Sequence, residues 1–396
     1  MVTDSGATVE SWLVRKPVVF AVIIGATGVF LPLFTIREHR LDGGTGLSLL
    51  SASVPYSVFL TACLMVPVVI SLVRMPARVR AGFLAGIGSV LIVLPWLLAA
   101  TIGSSVLVER ELGLGRVAPA GGFWFLILSG IILFSEFSRA AQGWTGTLLV
   151  VAISLCLFVM FWLGLLEDIA FIREYRVREE RFFSELIAHL RIAAMAVGSA
   201  VLVGVPAGIA SYRYPVVRKP VFSVVSGLQT IPSLALFGLM IAPLAFLSQR
   251  YPFLRQLGIR GIGNAPAIIA LFLYSLLPIL RNTYTSLSVM DPAVIEAGKG
   301  MGMTQKQLLF MLEIPVALPI ILSGIRVASV QTVGNTTVAA LIGAGGLGNF
   351  VFQGLGQAAP DLIVMGVIPI VVLAIVIDRV FGFFIGRAIP GVRTVE

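Results

Sequence analysis

The chain has 396 residues, of which 58% are hydrophobic and only 12% charged, and its mean hydropathy is +1.02. A soluble domain usually carries about 25% charged residues, so this composition excludes a water-soluble globule and favours a membrane protein. The net charge of +9 does not indicate nucleic-acid binding, because the basic residues are scattered singly between apolar runs. Such scattering is ordinary at membrane edges.

Long apolar runs follow one another along the chain. They are continuous rather than alternating, which favours transmembrane helices over a β-barrel, and a helix needs about 20 residues to cross a bilayer. We therefore predict an all-α, polytopic transmembrane helical bundle. About ten spans are expected near Val18–Phe34, Leu49–Val73, Ala81–Val108, Pro119–Ser135, Thr147–Leu166, His189–Tyr212, Val221–Leu247, Ala265–Leu280, Val316–Ile342 and Leu362–Ile385.

A charged interval follows the fifth of these segments. Its Arg and Glu residues precede Phe182, Phe183, Leu186 and Ile187 at helical spacing, which predicts either a short interfacial helix or a solvated linker. The Lys and Arg distribution weakly favours an orientation with both termini in the cytoplasm. We expect four parts: a cytoplasmic N-terminus at 1–17, an N-terminal extension of about five spans at 18–166, the charged interval at 167–187 and a C-terminal core at 188–387.

The polar segment 281–315 lies between two apolar spans and predicts two short helices joined by a turn. Asp291 before Pro292 is a typical helix start, and the glycines at 298, 300 and 302 should end that helix and permit a sharp turn. Thr304 with Gln307 forms a capping box for the second helix, and Pro315 should limit its extension.

These two short helices and their turn, which we call the elbow, would lie outside the bilayer and expose apolar side chains beside an acid. Exposed apolar groups of this kind favour a docking surface for a partner over an ordinary loop packed on its own bundle. The surface is expected to contain Glu296, Met301, Met303, Leu308 and Phe310.

The same stretch resembles the coupling motif of ABC importer permeases, in which E-A-A is followed by a glycine and then by I-x-L-P. The spacing agrees throughout, although Gly298, Leu312 and Ile314 replace an alanine, an isoleucine and a leucine of the motif. The matching positions are Glu296, Ala297, Gly298, Gly302, Leu312, Ile314 and Pro315.

The resemblance implies that the elbow docks, in the cytoplasm, onto a separate ATP-hydrolysing subunit. Glu296 would meet a basic group there, while Leu308 and Phe310 would fill a cleft. It also implies two ATPase subunits that use ATP and Mg²⁺, a second permease subunit (identical or related) and an extracytoplasmic substrate-binding protein, assembled in the cell inner membrane. This chain would then be a transport subunit and not an enzyme.

The sequence carries no cofactor motif that contradicts this expectation. No G-x-x-x-x-G-K-[ST] stretch is present, and the two Cys and two His are not spaced as metal ligands, so no metal or cofactor is expected on this chain. Gly343, Gly345 and Gly348 spell G-x-G-x-x-G, but they follow an apolar span rather than a strand. A turn or a close helix contact is the better interpretation.

Three segments narrow the resemblance to osmoprotectant importer permeases, which carry glycine betaine, choline, carnitine or proline. They are QTIPSLALF at 229–237, LLPILRNTYT at 276–285 and ALIGAGGLG at 340–348. Import of an amino acid through the same fold is the alternative. An ion-coupled secondary transporter is a distant alternative, because acids within the spans are nearly absent apart from Asp378. Arg379 is the expected partner of that acid. A membrane-embedded enzyme ranks last, since no nucleophile–His or paired-carboxylate arrangement is evident.

Polar residues within the spans are candidates for the translocation path, with interhelical hydrogen bonding as the alternative. Pro232 is expected to break its helix, and Tyr274 and Tyr284 are possible contacts for a quaternary ammonium. The candidates for the path are Gln229, Thr230, Ser233, Tyr274, Gln331, Asn335 and Thr336.

Overall fold

The protein is largely helical in its computed structural model. The residues described are 15–38, 43–49, 54–73, 75–109, 115–140, 145–256 and 258–388. They divide into two compact units, and the boundary lies after Val177. The expected cytoplasmic N-terminus, 1–17, lies almost entirely outside the described residues.

Ten apolar helices confirm a multi-pass helical membrane protein, and each overlaps one of the predicted segments. Within the described ranges, six are long and apolar enough to cross a bilayer: Arg78–Val108, Glu179–Arg213, Ser233–Arg250, Asn264–Ser288, Gln305–Ile342 and Pro360–Ala388. Four are shorter: Lys16–Phe30, Pro55–Ile70, Gly121–Glu136 and Leu148–Trp162.

The first unit contains seven α-helices and a small sheet among its described residues. The helices are α1 (Arg15–Phe30), α2 (Val54–Leu72), α3 (Ala77–Leu98), α4 (Ser104–Glu109), α5 (Gly121–Ala140), α6 (Thr145–Trp162) and α7 (Ala170–Val177). A π-helical turn, Ala99–Gly103, joins α3 to α4. The strands are β1 (Pro32–Arg37), β2 (Thr45–Ser48) and β3 (Arg116–Pro119).

The sheet is a departure from the all-α expectation. Its strands are antiparallel in the order β2-β1-β3, with Thr35 opposite Gly46 on one side and Ala118 on the other. The first apolar segment ends as a helix at Phe30 rather than at residue 34, because Pro32 disfavours helical backbone at the residue before it. The chain continues from there as strand β1, which buries Phe34.

The charged interval is helical over most of its length, and its role as a linker or interfacial helix stays a prediction. Its first part forms α7, which is held against β3 by an ion pair between Arg116 Nη1 and Glu174 Oε1 at 2.7 Å. Arg173 Nη1 donates to the Gly115 carbonyl, also at 2.7 Å. Its second part, from Glu179, forms the first turns of a long helix in the second unit.

The second unit contains ten α-helices among its described residues. They are α8 (Glu179–Arg213), α9 (Pro215–Thr230), α10 (Ser233–Arg250), α11 (Pro252–Gln256), α12 (Asn264–Ser288), α13 (Pro292–Gly300), α14 (Gln305–Gln307), α15 (Ile314–Ala339), α16 (Gly348–Gly356) and α17 (Pro360–Ala388). A π-helical segment, Leu308–Glu313, joins α14 to α15, and a 3₁₀ turn, Ala340–Ile342, follows α15. Helices α8, α12, α15 and α17 pack together.

The helix across the predicted span Val221–Leu247 is interrupted, because the chain breaks between α9 and α10. Ile231 has φ −74° and ψ 127°, which is extended backbone. Pro232 has no N–H for the helix ladder and restricts the residue before it. The proline signal in the sequence therefore identifies the break correctly, whereas hydropathy alone runs through it.

Candidate functional site

The elbow is shorter than the predicted polar segment, because α12 continues as a helix through Ser288. Residues 281–288 are therefore the last turns of that helix. Asp291 caps α13 as predicted: its Oδ1 accepts a hydrogen bond from the Ala293 backbone N–H at 2.9 Å. Pro292 occupies the first turn, where its missing N–H costs nothing.

Helix α13 is terminated by a Schellman motif, in which Gly302 is the residue after the cap Met301. The Gly302 N–H donates to the Lys299 carbonyl at 2.9 Å, and the Met303 N–H donates to the Gly298 carbonyl at 3.2 Å. Gly302 has φ +80°, which favours glycine. The prediction that three glycines end this helix is therefore wrong in part, since Gly298 and Gly300 lie within it.

The second arm of the elbow begins with the predicted capping box. The Gln307 N–H donates to Thr304 Oγ1 at 3.4 Å, and the Thr304 N–H donates to Gln307 Oε1 at 2.8 Å. The expectation that Pro315 limits this helix is wrong. The chain stays helical from Gln305 to Ile342, and the π-helical segment before Pro315 accommodates its missing donor.

The interior of the elbow is formed around Gly298, which is buried. A Cβ at this position would lie 2.7 Å from Leu308 Cδ1 and 3.0 Å from Leu312 Cδ2. Leu308 is only 1% exposed, so its prediction as a surface group is wrong: it fills the space between the two arms. Gly298, which departs from the alanine of the motif, permits this close packing.

The outer surface of the elbow matches the remaining prediction. Glu296 is exposed, and so are Met301 at 74% and Phe310 at 65%. Met311 is equally exposed at 65%, although no sequence pattern separates it from its neighbours. Of the other predicted coupling residues, Ala297 and Pro315 are exposed, while Leu312 and Met303 are half-buried. An acid and three large apolar side chains thus share one small protrusion.

An ion pair that the sequence analysis missed ties the elbow to α8. Arg213 Nη2 lies 2.7 Å from Glu313 Oε2, and Arg213 Nη1 donates to Gln305 Oε1 at 3.2 Å. Glu313 is 1% exposed, and its other oxygen, Oε1, is buried without a hydrogen-bond partner among the described residues. The last residue of α8 therefore holds both ends of the helical segment Gln305–Glu313.

We expect Gly302→Ala to loosen the turn without filling any space. No atom lies within 4 Å of a Cβ at Gly302 or at Gly300, but only Gly302 has a positive φ. A left-handed alanine costs about 1–2 kcal/mol, so amide hydrogen exchange at Met303 should rise by about tenfold. Gly300→Ala is the matched control, and equal protection in the two variants would contradict the prediction.

The G-x-G-x-x-G segment is a turn between helices, as predicted. Gly343, Gly345 and Gly346 all have positive φ. Glu185 on α8 fixes this turn: its Oε2 accepts the Gly346 N–H and its Oε1 accepts Asn349 Nδ2, both at 2.7 Å. Because the Glu185 carboxylate occupies these donors, they are not available to a dinucleotide phosphate.

The candidate path residues near the α9–α10 break are engaged with the backbone. Gln229 Nε2 donates to the Tyr274 carbonyl at 2.8 Å, and the Tyr274 hydroxyl donates to the Ile231 carbonyl. Thr230 Oγ1 donates within its own helix, to Gly227. Ser233 is half-buried at the start of α10. These groups therefore stabilise the broken helix, and Tyr284 is likewise bonded to Arg218.

The second group of candidates divides between two faces of α15. Thr336 is buried and donates to the Thr332 carbonyl, and Thr332 Oγ1 lies 2.7 Å from Ser275 Oγ on α12. Thr332 therefore makes an interhelical contact, whereas the hydroxyl of Thr336 is bonded within its own helix. Gln331 is exposed and Asn335 is half-buried, so within this group they remain the candidates for lining a path.

Asp378 has a different partner from the one expected. It pairs with Arg326 on α15, not with its neighbour Arg379: Arg326 Nε and Nη2 lie 2.6 Å from Asp378 Oδ1 and Oδ2. This bidentate geometry is the strong form of the Arg–carboxylate contact. The structure thus brings together two charges that are far apart in the sequence.

Comparison with known proteins identifies the family. Residues 200–390 match the family described as "Binding-protein-dependent transport system inner membrane component", and residues 14–172 match the "ABC transporter permease YehY, N-terminal domain". The carnitine transport permease protein OpuCB of Listeria monocytogenes is 45% identical over 202 residues, which cover 51% of this chain and 85% of the relative.

Two further relatives are also transport permease proteins. The osmoprotectant import permease protein OsmW of Salmonella typhimurium is 46% identical over 48% of this chain and 83% of its own length. The glycine betaine/carnitine/choline transport system permease protein OpuCB of Bacillus subtilis is 42% identical over 48% of this chain and 81% of its own length. The chain therefore belongs to the family of binding-protein-dependent ABC transport permeases.

Proposed function

We propose that this chain is the permease subunit of an ATP-driven importer for an osmoprotectant such as glycine betaine or choline. The named relatives are permeases for carnitine, osmoprotectants, and glycine betaine with choline, which supports this substrate class. Translocation would proceed by alternating access, with the helices of the second unit tilting between two states.

The elbow is the observation that carries the proposal. It combines an exposed acid, Glu296, with exposed Met301, Phe310 and Met311. Apolar groups of this size usually mark an interaction site when they cluster on a surface. Its second arm runs without interruption into α15, so a force applied to the elbow reaches a membrane-spanning helix directly.

The partner that fits this surface is a cytoplasmic ATPase with a cleft and a basic side chain. ATP and Mg²⁺ would be used on that subunit, and this chain would supply the mechanical connection. A complete importer would contain two ATPases, a second permease and an extracytoplasmic binding protein. Placing the elbow in the cytoplasm puts both termini there too if all ten apolar helices cross the inner membrane.

Uptake of labelled glycine betaine tests this function. The chain is reconstituted with its ATPase and binding protein in vesicles, and Glu296→Ala is expected to lower ATP-dependent uptake by about tenfold through loss of one interfacial charge pair. Glu180→Ala removes an equally exposed acid from the far end of α8 and serves as the matched control. Uptake that is independent of ATP, in any variant, would contradict the proposal.

Competition separates the osmoprotectant proposal from import of an amino acid. An excess of unlabelled choline, carnitine or glycine betaine should suppress uptake of the label, whereas methionine or histidine should not. The reverse pattern would favour the amino-acid alternative, while the elbow would keep its role.

A further inference from the structure

The Arg326–Asp378 pair joins two helices that are long and apolar enough to cross a membrane. On α15, Arg326 is about 20 Å from Glu313 and about 20 Å from Ala339, at a rise of about 1.5 Å per residue. On α17, Asp378 is about 26 Å from Asp361 and about 14 Å from Arg387 at the same rise. Since the hydrocarbon core is about 30 Å thick, we expect both charges to fall inside it.

The pair is not enclosed by its own subunit. Arg326 and Asp378 are 36% and 39% exposed. Ionisable residues at membrane depth face the interior of a bundle or a water-filled cavity rather than lipid. The exposed side of this pair is therefore expected to border a polar space.

The guanidinium group of Arg326 keeps one nitrogen outside the pair. Nε and Nη2 hold the carboxylate of Asp378, whereas Nη1 lies 3.9 Å from the point where a Cβ would stand on Gly382. The missing side chain at Gly382 leaves room beside Nη1. A carboxylate in that space could accept a hydrogen bond from Nη1 without breaking the pair.

We propose that this ion pair is a binding site for zwitterionic solutes in the translocation path. The carboxylate of the solute would accept from Arg326 Nη1, and its quaternary ammonium would lie against the carboxylate of Asp378. The pair is electrically neutral, so a neutral zwitterion fits it better than an ion of either sign. This inference rests on the proposed function, because it names the chemistry that the importer would select.

Substituting the two charges one at a time should have different effects on the uptake of glycine betaine relative to that of choline. A pair that only joins two helices would not give this difference. Arg326→Gln removes the contact with the carboxylate of the solute, so uptake of glycine betaine should fall by about tenfold more than uptake of choline, which has no carboxylate. Asp378→Asn removes the contact with the quaternary ammonium, which both solutes carry, and should lower both. Arg379→Gln removes a neighbouring exposed charge and is the matched control.

An apolar double variant addresses the case in which the single variants fail to fold. Replacing an ion pair by apolar side chains of similar size is often neutral for stability. Arg326→Met with Asp378→Leu should therefore reach the membrane in normal amounts and still fail to import glycine betaine. Uptake at the wild-type rate by this double variant would show that the pair only joins two helices, and would overturn the proposal.

Two other results would overturn it as well. One is an Arg326→Gln variant in which glycine betaine and choline uptake fall by the same factor. The other is a wild-type complex that imports choline but no zwitterion. Failure of the proposed function itself looks different, because a wild-type complex would then show no ATP-dependent uptake of any of these solutes.

Discussion

Gly298→Val is expected to abolish transport while the protein still inserts into the membrane. The added methyl groups would be forced into Leu308 and Leu312, since even a Cβ at this position approaches them to 2.7 and 3.0 Å. Overpacking of this kind typically costs about 1–3 kcal/mol, and here it would push the two arms of the elbow apart. ATP-dependent uptake and ATPase binding to reconstituted permease both measure the effect.

Gly300→Val is the matched control for this variant. The two glycines lie in the same helix, but a Cβ at Gly300 meets no atom within 4 Å, and valine is no worse than glycine in helix propensity, so this variant should fold normally. Gly298→Ala should be intermediate, because the nearest atoms are the flexible ends of leucine side chains. Equal activity of Gly298→Val and Gly300→Val would exclude a packing role for Gly298.

Arg213→Met is expected to uncouple the elbow from α8. It leaves Glu313 buried with no counter-ion, and breaking a buried pair in this way costs about 3 kcal/mol or more. The variant should melt at a lower temperature in detergent, and its ATPase partner should hydrolyse ATP with little uptake. Arg191→Met changes an exposed arginine on the same helix and should leave both properties unchanged.

A second substitution tests whether the effect of Arg213→Met comes from the broken ion pair or from a general loss of folding. Glu313→Leu in the Arg213→Met background removes the stranded charge, and the melting temperature should recover because an apolar pair can replace a buried ion pair. Coupling should recover with it if the pair acts only by holding the helices together. A double variant less stable than Arg213→Met would contradict this account.

The local features of the second unit are predictable from the sequence because they depend on near neighbours. Asp291 and Thr304 cap their helices through contacts two or three residues away, and Pro232 breaks a helix by its own covalent geometry. Hydropathy likewise identifies each apolar helix, because burial in a bilayer requires a continuous apolar run.

The features that the sequence does not predict depend on distant partners. Glu313 is buried because α8 delivers Arg213 to it, and Asp378 prefers Arg326 over the adjacent Arg379 because bidentate geometry needs a facing helix. The need for a residue without a side chain at position 298 is evident only in the folded protein, where Leu308 packs against Gly298. The sheet in the first unit joins β1 to the distant β3, which no local period indicates.

The continuous helix from Gln305 to Ile342 would convert a small movement of the elbow into a larger movement within the membrane. Its 38 residues form a rod of about 57 Å at about 1.5 Å per residue, and the Arg213–Glu313 contact is a natural fulcrum near one end. Because the arm beyond that fulcrum is short and the membrane arm is long, a small push on the short arm swings the opposite end through a larger arc. The ratio of the two arm lengths would then set how far the end of the helix near Ile342 moves.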